Sequence, residues 1–197
     1  MADGLRFGPL TKATIHLCVD MQRMFAADST WQTPWLGRTL RLAERSPERT
    51  FFRRFIAPTD GRDMPGMWRT YYSRWQTMTR RHFDVSQTEL LPSLARLVPP
   101  AHVINKSTYS AFSNPAPAEW LTQREVSALI VTGAETDVCV LSTVLAAVEF
   151  GYIVVRDGIC SSSDDTHDAL LKLYHTRFSE QIEAADADEV LAAWTLN

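Results

Sequence analysis

Short apolar runs alternate along the chain with longer stretches in which apolar residues recur at helical spacing. The apolar runs fall at Thr14–Val19, Thr50–Ile56, His102–Asn105, Ser127–Val131, Tyr152–Arg156 and Gln181–Glu183. This alternation is typical of an α/β protein, in which a mainly parallel sheet lies between two layers of helices. A chain of 197 residues is long enough to bury one full core. We therefore predict a single domain over residues 1–197, with three layers (αβα) and an open, mainly parallel sheet of six strands.

The stretches between the strands add two helices and one long connection to this prediction. Residues 136–150 and 164–178 carry apolar residues at helical spacing, and Ser163 and Asp164 are suitable caps for the second helix. The connection from Ala57 to about Val85 contains prolines, glycines and many aromatic residues. Loops of this length in compact domains usually carry function or cover other elements.

A cysteine stands where a predicted strand turns into a predicted helix, in the segment Gly133-Ala134-Glu135-Thr136-Asp137-Val138-Cys139-Val140. The first turn of a helix has free backbone N–H groups and a partial positive charge, and both favour a thiolate. Cys139 is therefore a candidate nucleophile. The alternative is a small buried apolar residue, which is the usual role of a free cysteine.

A carboxylate and an ammonium follow two other predicted strands. Asp20 follows the first strand, and Lys106 follows the strand at 102–105. Because the carboxyl ends of parallel strands gather at one edge of the sheet, Asp20, Lys106 and Cys139 are expected to converge there. A carboxylate can accept a thiol proton and an ammonium can hold the thiolate. Taken singly, Asp20 could cap a turn and Lys106 could be a solvated surface residue.

These segments resemble the isochorismatase-like cysteine hydrolases, which include nicotinamidases, N-carbamoylsarcosine amidases, ureido-acid amidases and isochorismatases. The resemblance covers nearly the whole chain. It rests on Asp20-Met21-Gln22 with Phe25, on Lys106 with Ser110-Ala111-Phe112, on Gly133-x-x-Thr136-Asp137-x-Cys139-Val140, and on Gly151-Tyr152 before a strand that ends in Asp157. Each piece alone is weak, but their order and spacing together are specific.

The resemblance implies an isochorismatase-like hydrolase fold and an Asp-Lys-Cys triad at Asp20, Lys106 and Cys139. It further implies a cis peptide bond between Ala134 and Glu135, and an oxyanion hole formed by the backbone N–H groups of Glu135 and Cys139. The expected reaction is hydrolysis of a small amide, carbamoyl or ureido C–N bond through a thioester-type intermediate. The nearest alternative is isochorismatase-type hydrolysis of a vinyl ether, which does not require the thiol.

The histidines bear on whether the reaction uses a metal. The five histidines are scattered, and no pair has ligand-like spacing beside a carboxylate. Nicotinamidases share an Asp-x-His element and a second histidine shortly after the second strand, whereas residues 53–63 of this chain contain no histidine. We therefore expect no metal and no cofactor, and a relation to the carbamoyl and ureido amidases rather than to enzymes that act on nicotinamide.

Several residues near the motifs are candidates for the substrate pocket. The aromatic candidates are Phe25, Phe112, Trp68 and Tyr72, because small-ligand sites are mostly apolar with a few polar groups. The alternative is that these aromatics pack the long connection onto the sheet or bury a subunit interface. Arg54, or its neighbour Arg53, could bind a substrate carboxylate. Equally, either arginine could pair with an acid within the fold.

Composition excludes several other classes of function. A formal charge of -3 with interspersed signs leaves no basic stripe for nucleic acid, and no apolar run of about 18 residues could span a membrane. The first six residues lack the features of a secretory signal, and three cysteines do not suit a disulfide framework, so a cytoplasmic location is expected. The expected partners are a small-molecule substrate and further copies of the chain, as a dimer or tetramer. Two other classes remain as alternatives: a catalytically idle binding or scaffold module, and a redox sensor.

Overall fold

The computed structural model describes residues 5–26, 31–33, 37–148 and 152–196. Its centre is a sheet of six strands, and all the neighbouring strands are parallel. The strands are β1 (Thr14–Val19), β2 (Thr50–Phe55), β3 (His102–Lys106), β4 (Ala128–Ala134), β5 (Tyr152–Cys160) and β6 (Ile182–Ala185). The predicted α/β class and the six-stranded parallel sheet are confirmed.

Helices lie on both faces of the sheet. They are α1 (Arg23–Ala26), α2 (Gly37–Arg45), α3 (Trp68–Arg74), α4 (Pro92–Ala95), α5 (Ala116–Gln123), α6 (Leu141–Ala147), α7 (Asp164–Thr176) and α8 (Ala187–Ala193). Single 3-10 turns occur at Pro47–Arg49, Gly61–Asp63, Gln76–Met78 and Val85–Thr88. Within the described ranges, none of these helices has the length and apolarity needed to cross a membrane.

Alternation of side chains along the strands separates the two layers of helices. Leu129 and Val131 of β4 face a core that includes Val144 of α6 and Tyr174 of α7. Ile130 points to the other face of the sheet, where it packs with residues of α2 and α8: Leu42, Ala187 and Val190. The sheet is therefore buried on both sides, which explains why its strands are nearly continuous apolar runs in the sequence.

Two helical predictions agree with the structure only in part. Helix α7 begins as predicted, since the Ser163 hydroxyl accepts a hydrogen bond from the Thr166 N–H group, but it ends at Thr176 instead of Phe178. The segment predicted as one helix from Thr136 starts with a single π-helical turn, Thr136–Val140, and continues as α6. Phe150, at the end of that prediction, lies outside the described residues. A π turn widens the backbone, and such turns are frequent at functional sites.

The strand order places a crevice at the middle of the sheet. From β1 the chain adds β2 and β3 on one side, and β4, β5 and β6 on the other. The order therefore reverses between β1 and β4, and parallel α/β sheets bind ligands outside the carboxyl ends of the strands at such a point. The segments that leave β1 and β4 contain Asp20 and Cys139.

Candidate active site

Lys106, Asp20 and Cys139 meet at this crevice. Lys106 Nζ lies 2.7 Å from Asp20 Oδ2 and 3.3 Å from Cys139 Sγ, and it also donates to the Thr108 carbonyl oxygen at 3.2 Å. All three side chains are buried. Because β2 lies between β1 and β3, the lysine must reach across β2 to Asp20, and its Nζ lies 5.0 Å from the centre of the Phe55 ring. The fold thus brings a carboxylate, an ammonium and a thiol into one site sheltered from water.

The chain turns sharply at Asp20, and its neighbours hold that turn in place. Asp20 has a φ of 57°, a left-handed conformation that Asp tolerates better than most residues. Its N–H group donates to the Arg53 carbonyl oxygen at 2.8 Å. The buried Gln22 amide donates to the carbonyl oxygens of Phe55 and Thr88, at 2.9 and 2.6 Å, and accepts from the Phe55 N–H group at 2.7 Å. Gln22 therefore ties the turn to the end of β2, which explains its place two residues after Asp20.

The turn before Cys139 depends on the close approach of β1 and β4. Gly133 has a φ of 111°, and a Cβ atom at this position would lie 1.9 Å from the Val19 carbonyl oxygen. The peptide bond between Ala134 and Glu135 is cis. The N–H groups of Val138 and Val140, on either side of the cysteine, both donate to the Glu135 carbonyl oxygen, at 3.1 and 3.0 Å. These contacts fix the backbone that presents Cys139.

Side chains from the segment after β5 support the same turn. Thr136 Oγ1 lies 2.8 Å from His167 Nδ1, and the Ser162 N–H group donates to Glu135 Oε1 at 3.2 Å. Ser161 donates a hydrogen bond to Asp137. The small-residue loop after β5 therefore connects the start of α7 to the cysteine turn.

Burial and the neighbouring charges set the protonation of the three groups. Burial raises the pKa of Cys139 well above its usual value, Asp20 raises it further, and Lys106 only partly opposes the rise. Burial also raises the pKa of Asp20, against the charges of Lys106 and Arg53. Burial acts to lower the pKa of Lys106, but Asp20 and Cys139 outweigh it, so that pKa is raised. The raised pKa of Cys139 favours a neutral thiol over the preformed thiolate that a helix start favours. Beside it, the 2.7 Å contact between Lys106 Nζ and Asp20 Oδ2 has the geometry of an ion pair.

Three of the predicted pocket residues lie in one group of rings, which we call the aromatic cluster: Phe25, Trp31, Phe55, Trp68, Tyr71, Tyr72, Trp75 and Tyr109. Phe25 stacks on Trp31, with ring centres 6.0 Å apart, and Trp68 lies 4.5 Å from Tyr109. Tyr72 is fully buried. The aromatic residues of the long connection thus pack together over the carboxyl ends of β1 and β2.

The other two predicted pocket residues lie outside the aromatic cluster. Phe112 is partly buried against the core on the α5–α7 face and borders a small cavity beside Arg53. Arg54 is not brought to the site, because successive residues of a strand point to opposite faces. Its guanidinium donates to Asn105 Oδ1 at 2.9 Å and to Glu89 Oε2 at 2.7 Å. Arg53, the preceding residue of β2, is on the same face of the sheet as Lys106.

Two tyrosines near the thiol were not singled out as pocket residues from the sequence. Burial raises the pKa values of Tyr71 and Tyr109, and Cys139 in its ionised form adds to both rises. Tyr109 follows Lys106 by three residues at the same strand end, and that position was the available signal. Tyr71 is on α3, and its approach to Cys139 depends on how the long connection folds back over the sheet.

The other two cysteines lie in surroundings that differ from those of Cys139. Cys18 and Cys160 are buried, and burial raises their pKa values to about 12 and about 11. Hydrogen bonds with Thr132 and Thr33, respectively, partly oppose these rises. Among the residues that the structure describes, no group of three or more His, Cys, Asp or Glu side chains is arranged to hold a metal ion. The residues directly after β2 (Ile56, Ala57 and Pro58) carry no metal-binding side chain.

Three solved structures share this fold. A cysteine hydrolase from Pseudomonas syringae pv. phaseolicola 1448A is 23% identical, with 98% of each chain covered and a TM-score of 0.76. An isochorismatase family protein from Desulfovibrio vulgaris is 18% identical, with 91% of this chain and 98% of that chain covered and a TM-score of 0.73. A nicotinamidase/pyrazinamidase from Bacillus subtilis is 20% identical, with 86% of this chain and 98% of that chain covered and a TM-score of 0.68.

The family assignment comes from the sequence comparison. No curated protein sequence is similar enough to count as a match. The sequence model described as the isochorismatase domain, however, matches residues 14–186, which span all six strands. The resemblance noted in the motifs is thereby confirmed, and the chain belongs to the isochorismatase family of hydrolases.

Proposed function

We propose that this protein hydrolyses a small amide, carbamoyl or ureido C–N bond with Cys139 as the nucleophile. The observation that carries the proposal is the position of Lys106 Nζ, 2.7 Å from Asp20 Oδ2 and 3.3 Å from Cys139 Sγ in a buried site. A carboxylate within reach of a thiol can accept its proton, and an ammonium beside both can hold whichever of them is charged.

In the first half of the reaction, Asp20 accepts the thiol proton while the Cys139 sulfur attacks the carbonyl carbon. The resulting tetrahedral oxyanion accepts hydrogen bonds from the backbone N–H groups of Glu135 and Cys139. When the C–N bond breaks, Asp20 gives its proton to the departing nitrogen. Ammonia or an amine leaves, and the acyl or carbamoyl group stays on sulfur as a thioester or thiocarbamate.

In the second half, Asp20 accepts a proton from water as the water oxygen attacks the same carbon. The C–S bond breaks, and the proton returns to the sulfur, so that the neutral thiol of the resting site is restored. Lys106 stays protonated throughout and offsets the charge that moves between Asp20 and Cys139. The products are a carboxylic or carbamic acid and the amine.

The residues after β2 favour a reaction without a metal. One structural neighbour is a nicotinamidase/pyrazinamidase, but its identity of 20% indicates a shared fold and not a shared substrate. Residues 53–63 offer no histidine, and Phe55 packs beside Lys106. We therefore favour a carbamoyl or ureido compound over nicotinamide as the substrate.

The test is ammonia release from a panel of small amides, ureido acids and carbamoyl amino acids. Wild-type protein is compared with Cys139→Ala and with Cys160→Ala, a matched control because Cys160 is also buried and ends a strand of the same sheet. Turnover that is lost in Cys139→Ala and kept in Cys160→Ala is expected. In a separate assay, turnover of a vinyl ether by Cys139→Ala would instead support isochorismatase-type chemistry. A wild-type protein with no turnover and no alkylation at Cys139 would indicate an idle module.

A further inference from the structure

Arg53 is a buried arginine on β2, an inner strand of the sheet. It lies on β2 between Val19 of β1 and Ile104 of β3, and its exposed fraction is 1%. None of its three guanidinium nitrogens has a hydrogen-bond partner among the described residues. A buried and unpaired cation is strongly destabilising, so its presence in a core calls for a compensating charge or a function.

The described residues that line the cavity beside Arg53 carry no counter-charge. Arg53 borders a cavity of about 20 Å³, which is room for roughly one water molecule. The other described residues that line the cavity are apolar and come from β1 to β4, the loop after β3 and α5; they include Leu17, Ile104, Phe112 and Trp120. Neither a hydrogen bond nor a charge among the described residues of this cavity therefore accounts for the arginine.

The Asp20 carboxylate acts on the Arg53 guanidinium through its charge, without a hydrogen bond between the two side chains among the described contacts. The two residues are joined by the 2.8 Å hydrogen bond from the Asp20 N–H group to the Arg53 carbonyl oxygen. Asp20 Oδ1 is buried and also has no hydrogen-bond partner among the described residues, while Oδ2 is held by Lys106. Among the described residues, the thiols of Cys18 and Cys139 also interact with Asp20. Since Asp20 and Lys106 neutralise each other, Arg53 leaves one net positive charge in this buried region.

We propose that Arg53 is a positioning residue of the active site, whose buried charge keeps Asp20 in the carboxylate form that accepts the Cys139 proton. The inference rests on the proposed function, because it assigns Asp20 the role of the base. The extra positive charge also matches the negative charge that appears when substrate carbonyl oxygen becomes an oxyanion. Arg53 acts through Asp20 and touches neither substrate nor sulfur in this account.

The protonation of both groups agrees with this role. Burial lowers the pKa of Arg53 to about 10, against the effect of Asp20, so the guanidinium remains charged near neutral pH. In turn the charge of Arg53 opposes the rise in the pKa of Asp20 that burial causes. Removing the charge at Arg53 should therefore raise the pH at which Asp20 becomes protonated.

A functional charge and a structural arginine predict opposite effects on stability. Replacing a buried unpaired cation with an apolar side chain of similar length removes a desolvation penalty, so Arg53→Met should melt at or above the wild-type temperature. An arginine retained for the fold would leave a less stable protein when replaced. Arg53→Lys keeps the charge and serves as the conservative variant.

The experiment measures the rate of Cys139 alkylation by iodoacetamide against pH, with peptide mass spectrometry to assign the site, and the melting temperature of each protein. It needs no substrate. The rate in wild-type protein should fall on the acid side as Asp20 is protonated. In Arg53→Met the pH at which the rate falls should be higher by about half a unit or more. In Arg53→Lys it should stay close to the wild-type value. Arg54→Met, the neighbour on the opposite face, is the control and should not shift.

Each other result decides between the hypotheses. The role of Arg53 would be overturned if Arg53→Met folds but loses alkylation at the same pH as wild type. It would also be overturned if Arg53→Met melts well below the wild-type temperature. Both outcomes leave the proposed function intact as long as wild-type Cys139 reacts. A wild-type Cys139 that does not react at any pH would instead contradict the proposed function itself.

Discussion

Lys106 Nζ lies 2.7 Å from Asp20 Oδ2, and both side chains are completely shielded from solvent. A buried ion pair of this kind is strongly destabilised when one partner is removed, because the other charge remains without compensation. Asp20→Asn should therefore lower the free energy of unfolding by about 3 kcal/mol or more. It should also lower turnover by about a hundredfold or more, the usual scale of general acid–base catalysis. Denaturant titration and the assay of the proposed reaction measure the two effects.

The double variant Asp20→Asn/Lys106→Met separates these two effects. Removing both charges should recover most of the lost stability but none of the lost activity. Recovery of turnover along with stability would show that the Asp20 carboxylate serves the fold alone.

His16 should make the stability of the protein depend on pH. Its ring lies between Thr50 Oγ1 at 3.3 Å and Thr132 Oγ1 at 2.8 Å, and burial lowers its pKa from 6.5 to about 3. Because the unfolded chain binds a proton below about pH 6.5 and the folded chain does not, the contribution of His16 is complete above pH 6.5. It is lost progressively between pH 6.5 and 3, and amounts to about 4 kcal/mol at the acid end.

Melting temperatures measured across this pH range test the assignment to His16. His16→Gln keeps a neutral polar group between the two threonines and should show a shallower loss of stability in acid. His82→Gln, a substitution at an exposed histidine, should follow the wild-type curve. Identical slopes for wild type and His16→Gln would place the acid sensitivity elsewhere.

Gly133 should not tolerate any side chain. With a φ of 111° and the Val19 carbonyl oxygen 1.9 Å from an added Cβ atom, Gly133→Ala forces β1 and β4 apart beside Asp20 and Cys139. We expect a loss of about 3 kcal/mol or more in unfolding free energy. Gly66→Ala is the control, since Gly66 also has a positive φ but lies in open space. Equal stabilities for the two variants would mean that the strands are less close than described.

Turnover should survive exhaustive chelation and dialysis. The expectation follows from residues 53–63, which contain no histidine, and from a thiol that Asp20 and Lys106 can activate together. Activity is measured on the substrate found in the panel, before and after chelation. Activity that disappears and returns with added zinc would contradict the account and restore nicotinamide as the leading substrate.

The sheet was predictable from the sequence because its strands are buried on both faces. Each strand is a compact apolar run. All six predicted starts agree with the structure within one residue, and four of them are exact. The ends were harder: β4 continues to Ala134 and β5 to Cys160, past polar and glycine residues that resemble turns. These extensions are held by pairing of Gly133 with Ile159 and Ala134 with Cys160, which no local pattern shows.

The surroundings of the thiol were less predictable, because they depend on contacts between distant segments. Each face of the segment Phe51-Phe52-Arg53-Arg54-Phe55 carries one arginine beside phenylalanine, so alternation alone does not say which arginine faces Lys106. The choice of Arg54 for the pocket was not supported for this reason. Likewise, the contact between Trp68 and Tyr109 depends on how the long connection folds over β2.

The most direct test of the account is to trap the covalent intermediate. Protein turning over a substrate from the panel is quenched in acid and analysed by peptide mass spectrometry. We predict an adduct with the mass of the acyl or carbamoyl group on the peptide that contains Cys139, and no adduct in Cys139→Ala. Steady turnover with an unmodified Cys139, together with full activity in Cys139→Ala, would contradict the central claim that this thiol is the nucleophile.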